Sequence, residues 1–227
     1  MTSKKEQQSE EDALIKRNNQ APGFPASLVR SRLQLLIERF IQYANFDLQE
    51  YIKAQRILKV DISIPTLKEW YPGPNWKKDI DKAIRYFMKI EGKADANGNF
   101  DYFSLFSRAK LDNSGLHLNV DPEVLELYII RAGNFNTELD YNVTKLFKCA
   151  YTHEMYWEML KHDYPKFDYR FFLTPEEINN KFKTKYQNSN ITTQIIEPSE
   201  REIRAIYDAG LSPRYITVTE RRDVKIG

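Results

Sequence analysis

Two apolar periodicities alternate along the chain, a 3.6-residue repeat and short two-residue alternations, and their order predicts an α+β, mainly helical protein. From residue 27, Val29, Leu33, Leu36, Ile37, Phe40 and Ala44 recur at helical spacing, and a second helical stretch covers residues 47–58. Val60-Asp61-Ile62-Ser63-Ile64 alternates as a short strand, Pro65 opens a brief helix, Pro72-Gly73-Pro74 turns the chain, and Asn75 caps a helix reaching about residue 90. Residues 94–99, with Asn97-Gly98, read as a loop. Residues 100–111 and 116–120 read as strands joined at Asp112-Asn113-Ser114-Gly115. Helix, turn, helix, hairpin is the order of a winged helix-turn-helix. Asp121-Pro122-Glu123 then starts a helix to residue 130, and residues 140–163 read as a longer helical region joining two halves.

The second half repeats the grammar in compact form. Arg170-Phe171-Phe172-Leu173 is a short strand, and Thr174-Pro175-Glu176-Glu177 combines an N-cap, a first-turn proline and a capping-box glutamate. After a polar turn at residues 186–190, residues 191–207 place Ile191, Ile195, Ile196, Ile203 and Ile206 on one side of a helix. Gly210 and Pro213 stop it, and residues 215–218 alternate as a strand leading to a basic wing. The pattern therefore predicts two tandem winged helix-turn-helix domains, over residues 26–138 and 139–227. A polar, disordered arm over residues 1–25 precedes them.

Composition narrows the classes. With 41% hydrophobic residues in 227, the chain buries one or two ordinary cores. It has no apolar run of membrane-spanning length and no signal-peptide pattern, so a cytoplasmic protein without a membrane partner is expected. A single cysteine, Cys149, excludes a disulfide framework and a Cys-rich zinc site. The formal charge is only +2, so any affinity for nucleic acid depends on where the charges sit.

They sit in two places. On the 75–90 helix, Lys78, Lys82, Arg85 and Lys89 line up opposite the apolar stripe of Trp76, Ile80, Ala83, Ile84 and Phe87. That row suits phosphate contacts, the plain alternative being a solvated helix face. In the second unit, Asn190, Thr193 and Gln194 near the helix start are candidates for reading base edges, with Arg201 and Arg204 reaching backbone. Glu197 and Glu200 share that face, and a surface pair between Glu197 and Arg201 is the alternative to a DNA role. Lys181, Lys183 and Lys185 before the helix, and Arg214, Arg221, Arg222 and Lys225 around the expected wing, supply a positive rim.

The run Phe172-Leu173-Thr174-Pro175-Glu176-Glu177-Ile178, then Tyr186, then Ile195-Ile196-Glu197-Pro198 with Glu202-Ile203, resembles the C-terminal winged helix of the iteron-binding plasmid replication initiators. Tyr156-Trp157-Glu158-Met159-Leu160-Lys161 looks like the helix opening that domain, and Gly115-Leu116-His117-Leu118-Asn119-Val120 is similar to the last strand of the first one. The resemblance extends over roughly residues 27–227. It implies binding to double-stranded direct repeats at a plasmid origin, opening or distortion of the DNA, and recruitment of host helicase and primase. It also implies a homodimer that represses its own gene and a monomer that initiates replication. The chain ends at Gly227, where the second wing is expected to turn into its returning strand, so that wing is either abbreviated or continued in a longer protein.

Catalysis is not expected, nor a cofactor or metal. A rolling-circle nuclease needs a His-hydrophobic-His metal pair beside a nucleophilic tyrosine, whereas His117, His153 and His162 are scattered. An ATP-driven initiator needs a phosphate-cradling glycine loop, and none of the eight glycines forms one. The competing readings are a winged-helix transcription regulator unrelated to replication and a protein-interaction module.

Overall fold

A computed structural model of the chain describes residues 14–18, 27–43, 48–89, 91–94, 100–122, 136–162, 172–212 and 214–217. Its first elements are β1 (Leu14–Asn18), α1 (Leu28–Tyr43), α2 (Leu48–Lys53), β2 (Leu58–Ser63), α3 (Ile64–Trp70) and α4 (Trp76–Phe87). Strands β3 (Glu91–Ala94), β4 (Phe100–Phe103), β5 (Phe106–Leu111), β6 (Gly115–Val120) and β7 (Asn136–Asp140) follow. Next come α5 (Tyr141–Thr144), α6 (Thr152–Lys161) and α7 (Pro175–Phe182). A last continuous helix comprises α8 (Asn188–Ile191), a π-helical turn over Thr192–Ile196, and α9 (Glu197–Asp208).

The first unit is built on an antiparallel sheet of order β2-β6-β5. Leu58, Val60 and Ile62 are buried while Lys59, Asp61 and Ser63 are exposed, so strict alternation gives β2 one core face and one wet face. Leu116, Leu118 and Val120 of β6 extend the core face, and β5 enters through a bulge between Phe106 and Arg108. At the hairpin a Cβ on residue 115 would collide with the Ile62 carbonyl oxygen, which is why glycine stands there. The Ser63 hydroxyl accepts from the Thr66 N–H to cap α3, with proline in its first turn. Helix α4 lays Ile80, Ala83, Ile84 and Phe87 into the core, and α1 packs against both α4 and β2. Helix, strand, helix, turn, helix and hairpin around this sheet make a winged helix.

Several expectations need correction. Residues 14–18 belong to a polar arm in the sequence reading, yet Leu14–Asn18 pair antiparallel with Asn136–Asp140. The Leu-Ile pair opening that segment is too short to register against its polar flanks. The 47–58 helix stops at Lys53, because Gln55 adopts a left-handed φ of 50° and Arg56 N–H donates back to the Tyr51 carbonyl, releasing Leu58 into β2. The 100–111 strand is split, β4 pairing with β3 and β5 with β6. The 121–130 helix beyond Pro122, the loop over 95–99, and Arg170-Phe171 lie outside the described residues. Phe172 and Leu173 are not in a strand, nor are Tyr215 to Thr217.

The predicted 140–163 helix is also broken, and the break joins the two halves. The Asp140 carboxylate caps α5 by accepting from Asn142 and Val143 N–H, but α5 ends after one turn. Residues 145–151 then form a loop gripped from both sides. From α1, Arg32 donates to the Lys145 and Phe147 carbonyls at 3.3 and 3.0 Å. From α9, the Glu202 carboxylate accepts the Lys148 and Cys149 N–H groups and, at 2.7 Å, the Thr152 hydroxyl. A carboxylate from a distant helix thus satisfies main-chain donors of the loop that leads into α6 and ties down the Thr152 hydroxyl at its first residue.

Beside this loop His153 is buried, its ring edge-on to Phe147. Burial pushes the imidazole down to about 3 from its usual 6.5, the Arg32 charge adds to this, and a hydrogen bond with the Thr144 backbone opposes it. Below pH 6.5 the unfolded chain therefore takes up a proton that the folded chain refuses. Stability should fall on the order of a few kcal/mol as pH drops from about 6.5 towards 3, and His153→Phe should flatten that part of a urea-unfolding pH profile. Glu202→Ala, which strips charged acceptors from three donors, should cost about 2–3 kcal/mol in the same measurement.

Candidate nucleic-acid interface

Two helices present polar faces, and each is the second helix of a helix-turn-helix. In the first unit it is α4. Lys78, Lys82, Arg85 and Lys89 are all exposed, opposite the buried Ile80, Ala83, Ile84 and Phe87. Two of the four are ion-paired within the helix, Lys82 with Asp79 at 3.4 Å and Arg85 with Asp81 at 2.8 Å. Exposed pairs of this kind are worth about 0–1 kcal/mol, so a phosphate can replace either carboxylate at little cost. Among the described residues Lys78 and Lys89 make no ion pair. Arg30 of α1 adds a further cation on the flank, its guanidinium 4.0 Å from the centre of the Tyr86 ring.

In the second unit the turn ahead of the last helix is set by one side chain. Asn179 of α7 accepts from Tyr186 N–H and from the Thr184 hydroxyl, and its amide donates to the Tyr186 carbonyl, at 2.9, 2.7 and 2.9 Å. Helix α7 is started by the reciprocal Thr174–Glu177 capping box and ended by Lys183 in a left-handed conformation, φ 52°. The Thr174 main-chain N–H, with its hydroxyl second, pulls the Glu177 carboxyl below its ordinary range. The turn therefore has one geometry, and the following helix one direction.

On that helix Asn190, Thr193, Gln194 and Arg201 are exposed, as the sequence suggests, with Ile191, Ile195, Ile203 and Ile206 buried behind them. The Thr193 hydroxyl donates to the Ser189 carbonyl at 3.0 Å. Glu197 and Arg201 form no ion pair with each other, and among the described residues Arg201 has no other ion-pair partner. Arg204 is exposed but engaged. It pairs with Asp208 at 3.3 Å and stacks 4.1 Å over the Tyr215 ring, which itself lies 4.7 Å from Tyr207. The stack pins the chain after the helix onto the helix end, a role its sequence position did not signal.

Lys183 and Lys185 are exposed at the turn. Lys181 is not part of that rim. Its ammonium turns inward to Glu154 and Glu158 of α6, at 3.0 and 2.5 Å, and Lys161 joins Glu158 at 2.5 Å. Burial alone would raise the Glu158 carboxyl, but the two lysines hold it below its ordinary value. The spacing of Lys181 from Lys183 and Lys185 looked like a surface run because α7 ends between them. Arg221, Arg222 and Lys225 lie outside the described residues. Arg214 is exposed, its main chain bonded to the Ser212 hydroxyl.

Sequence reasoning passed over Asn179 and Glu202. Glu202 stood within the family-like run, whereas nothing in the sequence around Asn179 marks its role. Among the described residues no three His, Cys, Asp or Glu side chains cluster in a way that could hold a metal ion, and no helix is long and apolar enough to cross a membrane.

A winged-helix α+β protein with two outward helices, each held by a helix-turn-helix, is the class this geometry defines. The chain is similar in structure to the Pi initiator protein, as seen in its crystal structure in complex with iteron DNA, with a TM-score of 0.61 over 86% of each chain at 14% sequence identity. The fold is thus that of the Pi initiator protein. No protein-family model matches the sequence, and no curated protein does.

Replacing Lys78, Lys82 and Arg85 together by glutamate should weaken binding to duplexes of any sequence and reduce the slope of log affinity against log salt by about three. Binding curves across a salt series measure both. An unaltered slope would leave the row a solvated face.

Proposed function

We propose that this protein binds double-stranded DNA at direct repeats of a plasmid origin and initiates replication there. The observation that carries the reading is the likeness, over most of both chains, to an initiator whose structure holds iteron DNA. The two exposed helix faces fit it, one cationic and one lined by amide and hydroxyl groups.

In this reading residues 26–138 form the first domain, with α4 gripping phosphates through Lys78, Lys82, Arg85 and Lys89. Residues 139–227 form the second, which recognises the repeat. Asn190, Thr193 and Gln194 read base edges there, and Lys183, Lys185, Arg201, Arg221 and Arg222 hold the backbone. Arg204 contributes by fixing the chain that follows the helix. A homodimer represses the protein's own gene, a monomer opens the origin, and host helicase and primase are recruited to it in the cytoplasm. The protein supplies binding energy and geometry and no catalytic step.

The test is a fluorescence-anisotropy titration of the chain against direct repeats from its own replicon and against scrambled duplex, at several salt concentrations. Binding to the repeats should be at least about a thousandfold tighter than to scrambled DNA, the low end of the range for specific over non-specific binding, and should weaken with salt. Equal binding to both would sink the reading.

A further inference from the structure

The last helix contains an irregularity that its apolar spacing requires. Ile191, Ile195, Ser199 and Ile203 are all buried, each four residues after the one before. In a regular α-helix every step of four overshoots the turn by about 40°, so three steps would carry the buried row about 120° around the axis, out of the core. A π-helical turn over Thr192–Ile196 takes up the excess. There the Glu197 N–H reaches back five residues to the Thr192 carbonyl.

Its cause is Pro198. Proline has no N–H for the Gln194 carbonyl four residues earlier, and its ring would press against that oxygen in a regular turn. The widened turn relieves the clash, and the α-helical ladder resumes within α9. The three side chains assigned to base edges, Asn190, Thr193 and Gln194, sit in or just before this turn, on the exposed side.

We infer that Pro198, through the π turn it enforces, is the positioning residue that sets which base edges Thr193 and Gln194 reach. The inference rests on the DNA-binding reading above. The wide turn rotates the segment bearing Asn190, Thr193 and Gln194 relative to Arg201 on α9, so the base-reading and backbone-holding groups keep an angular offset that a straight helix lacks.

The test is selection of the full chain on a random duplex library, for the parent, Pro198→Ala and Pro198→Ser, both of which return an N–H to position 198. Thermal melts fix a temperature at which all three are folded. Each variant should change the preferred base at one or two positions by about tenfold. Affinity for random duplex and its salt slope should not move, a split that general loss of helix stability cannot produce. Amide exchange should show the new N–H at 198 protected. Unchanged preferences in folded variants, or an equal loss for all sequences, would overturn the inference while leaving the DNA-binding reading intact. A parent chain that selects no sequence would overturn both.

Discussion

The loop between α5 and α6 is the point on which both halves of the molecule depend. Its carbonyls face Arg32 of the first unit and its N–H groups face Glu202 of the second, so one short stretch of main chain is neutralised at both ends by charges from distant helices. Neither side chain is redundant. The Arg32 guanidinium is half-buried and its pKa lowered by desolvation, which the field of Glu202 offsets only in part. Removing either would strand backbone groups away from water, where an unmet polar group is costly. The direction of α6, and with it of every later element packed on it, follows from this loop.

Around that loop the two units solve the same problem with different means. Both need a second helix whose outer face is polar and whose approach angle is fixed. The first fixes α4 by burying Ile80, Ala83, Ile84 and Phe87 against α1 and the sheet. The second, with less sheet among the described residues, uses polar devices: a reciprocal cap at Thr174, the Asn179 staple across the turn, and the lysine–glutamate cluster of α6 and α7. The lysine–glutamate cluster is specific in geometry because Glu154 and Glu158 are buried and have few alternative partners there.

Much of this was legible in the sequence. The winged-helix order of the first unit follows from alternation in Val60 to Ile64 and from the amphipathic row around Ile80 and Phe87, since burying one face is what period decides. The capping box at Thr174 was equally plain. What escaped depends on partners far along the chain. Nothing near Leu14 announces Asp140, nothing near Glu202 announces the N–H groups of Lys148 and Cys149, and a left-handed Gln55 has no local signature. Among site residues, exposure of Lys78, Lys82, Arg85, Lys89, Thr193 and Gln194 was readable from helical phase, whereas the inward turn of Lys181 and the stacking of Arg204 were not. Both depend on an aromatic or acidic neighbour supplied by another segment. Pro198 was visible throughout, but its effect on phase appears only when the burial of Ser199 is known.

The pairing of β1 with β7 bears on how the molecule is made. Leu14 lies opposite Asp140, so a strand synthesised well ahead of its partner waits for it. The closing of so long a loop carries a large entropic cost and rewards it only at the end. The sheet, α3 and α4 can settle in the interval, because their contacts lie among residues already synthesised. Through β7 and α5, β1 adjoins the start of the Arg32–Glu202 loop. Strand β1 is thus placed to dock late, once the chain on both sides of that loop exists.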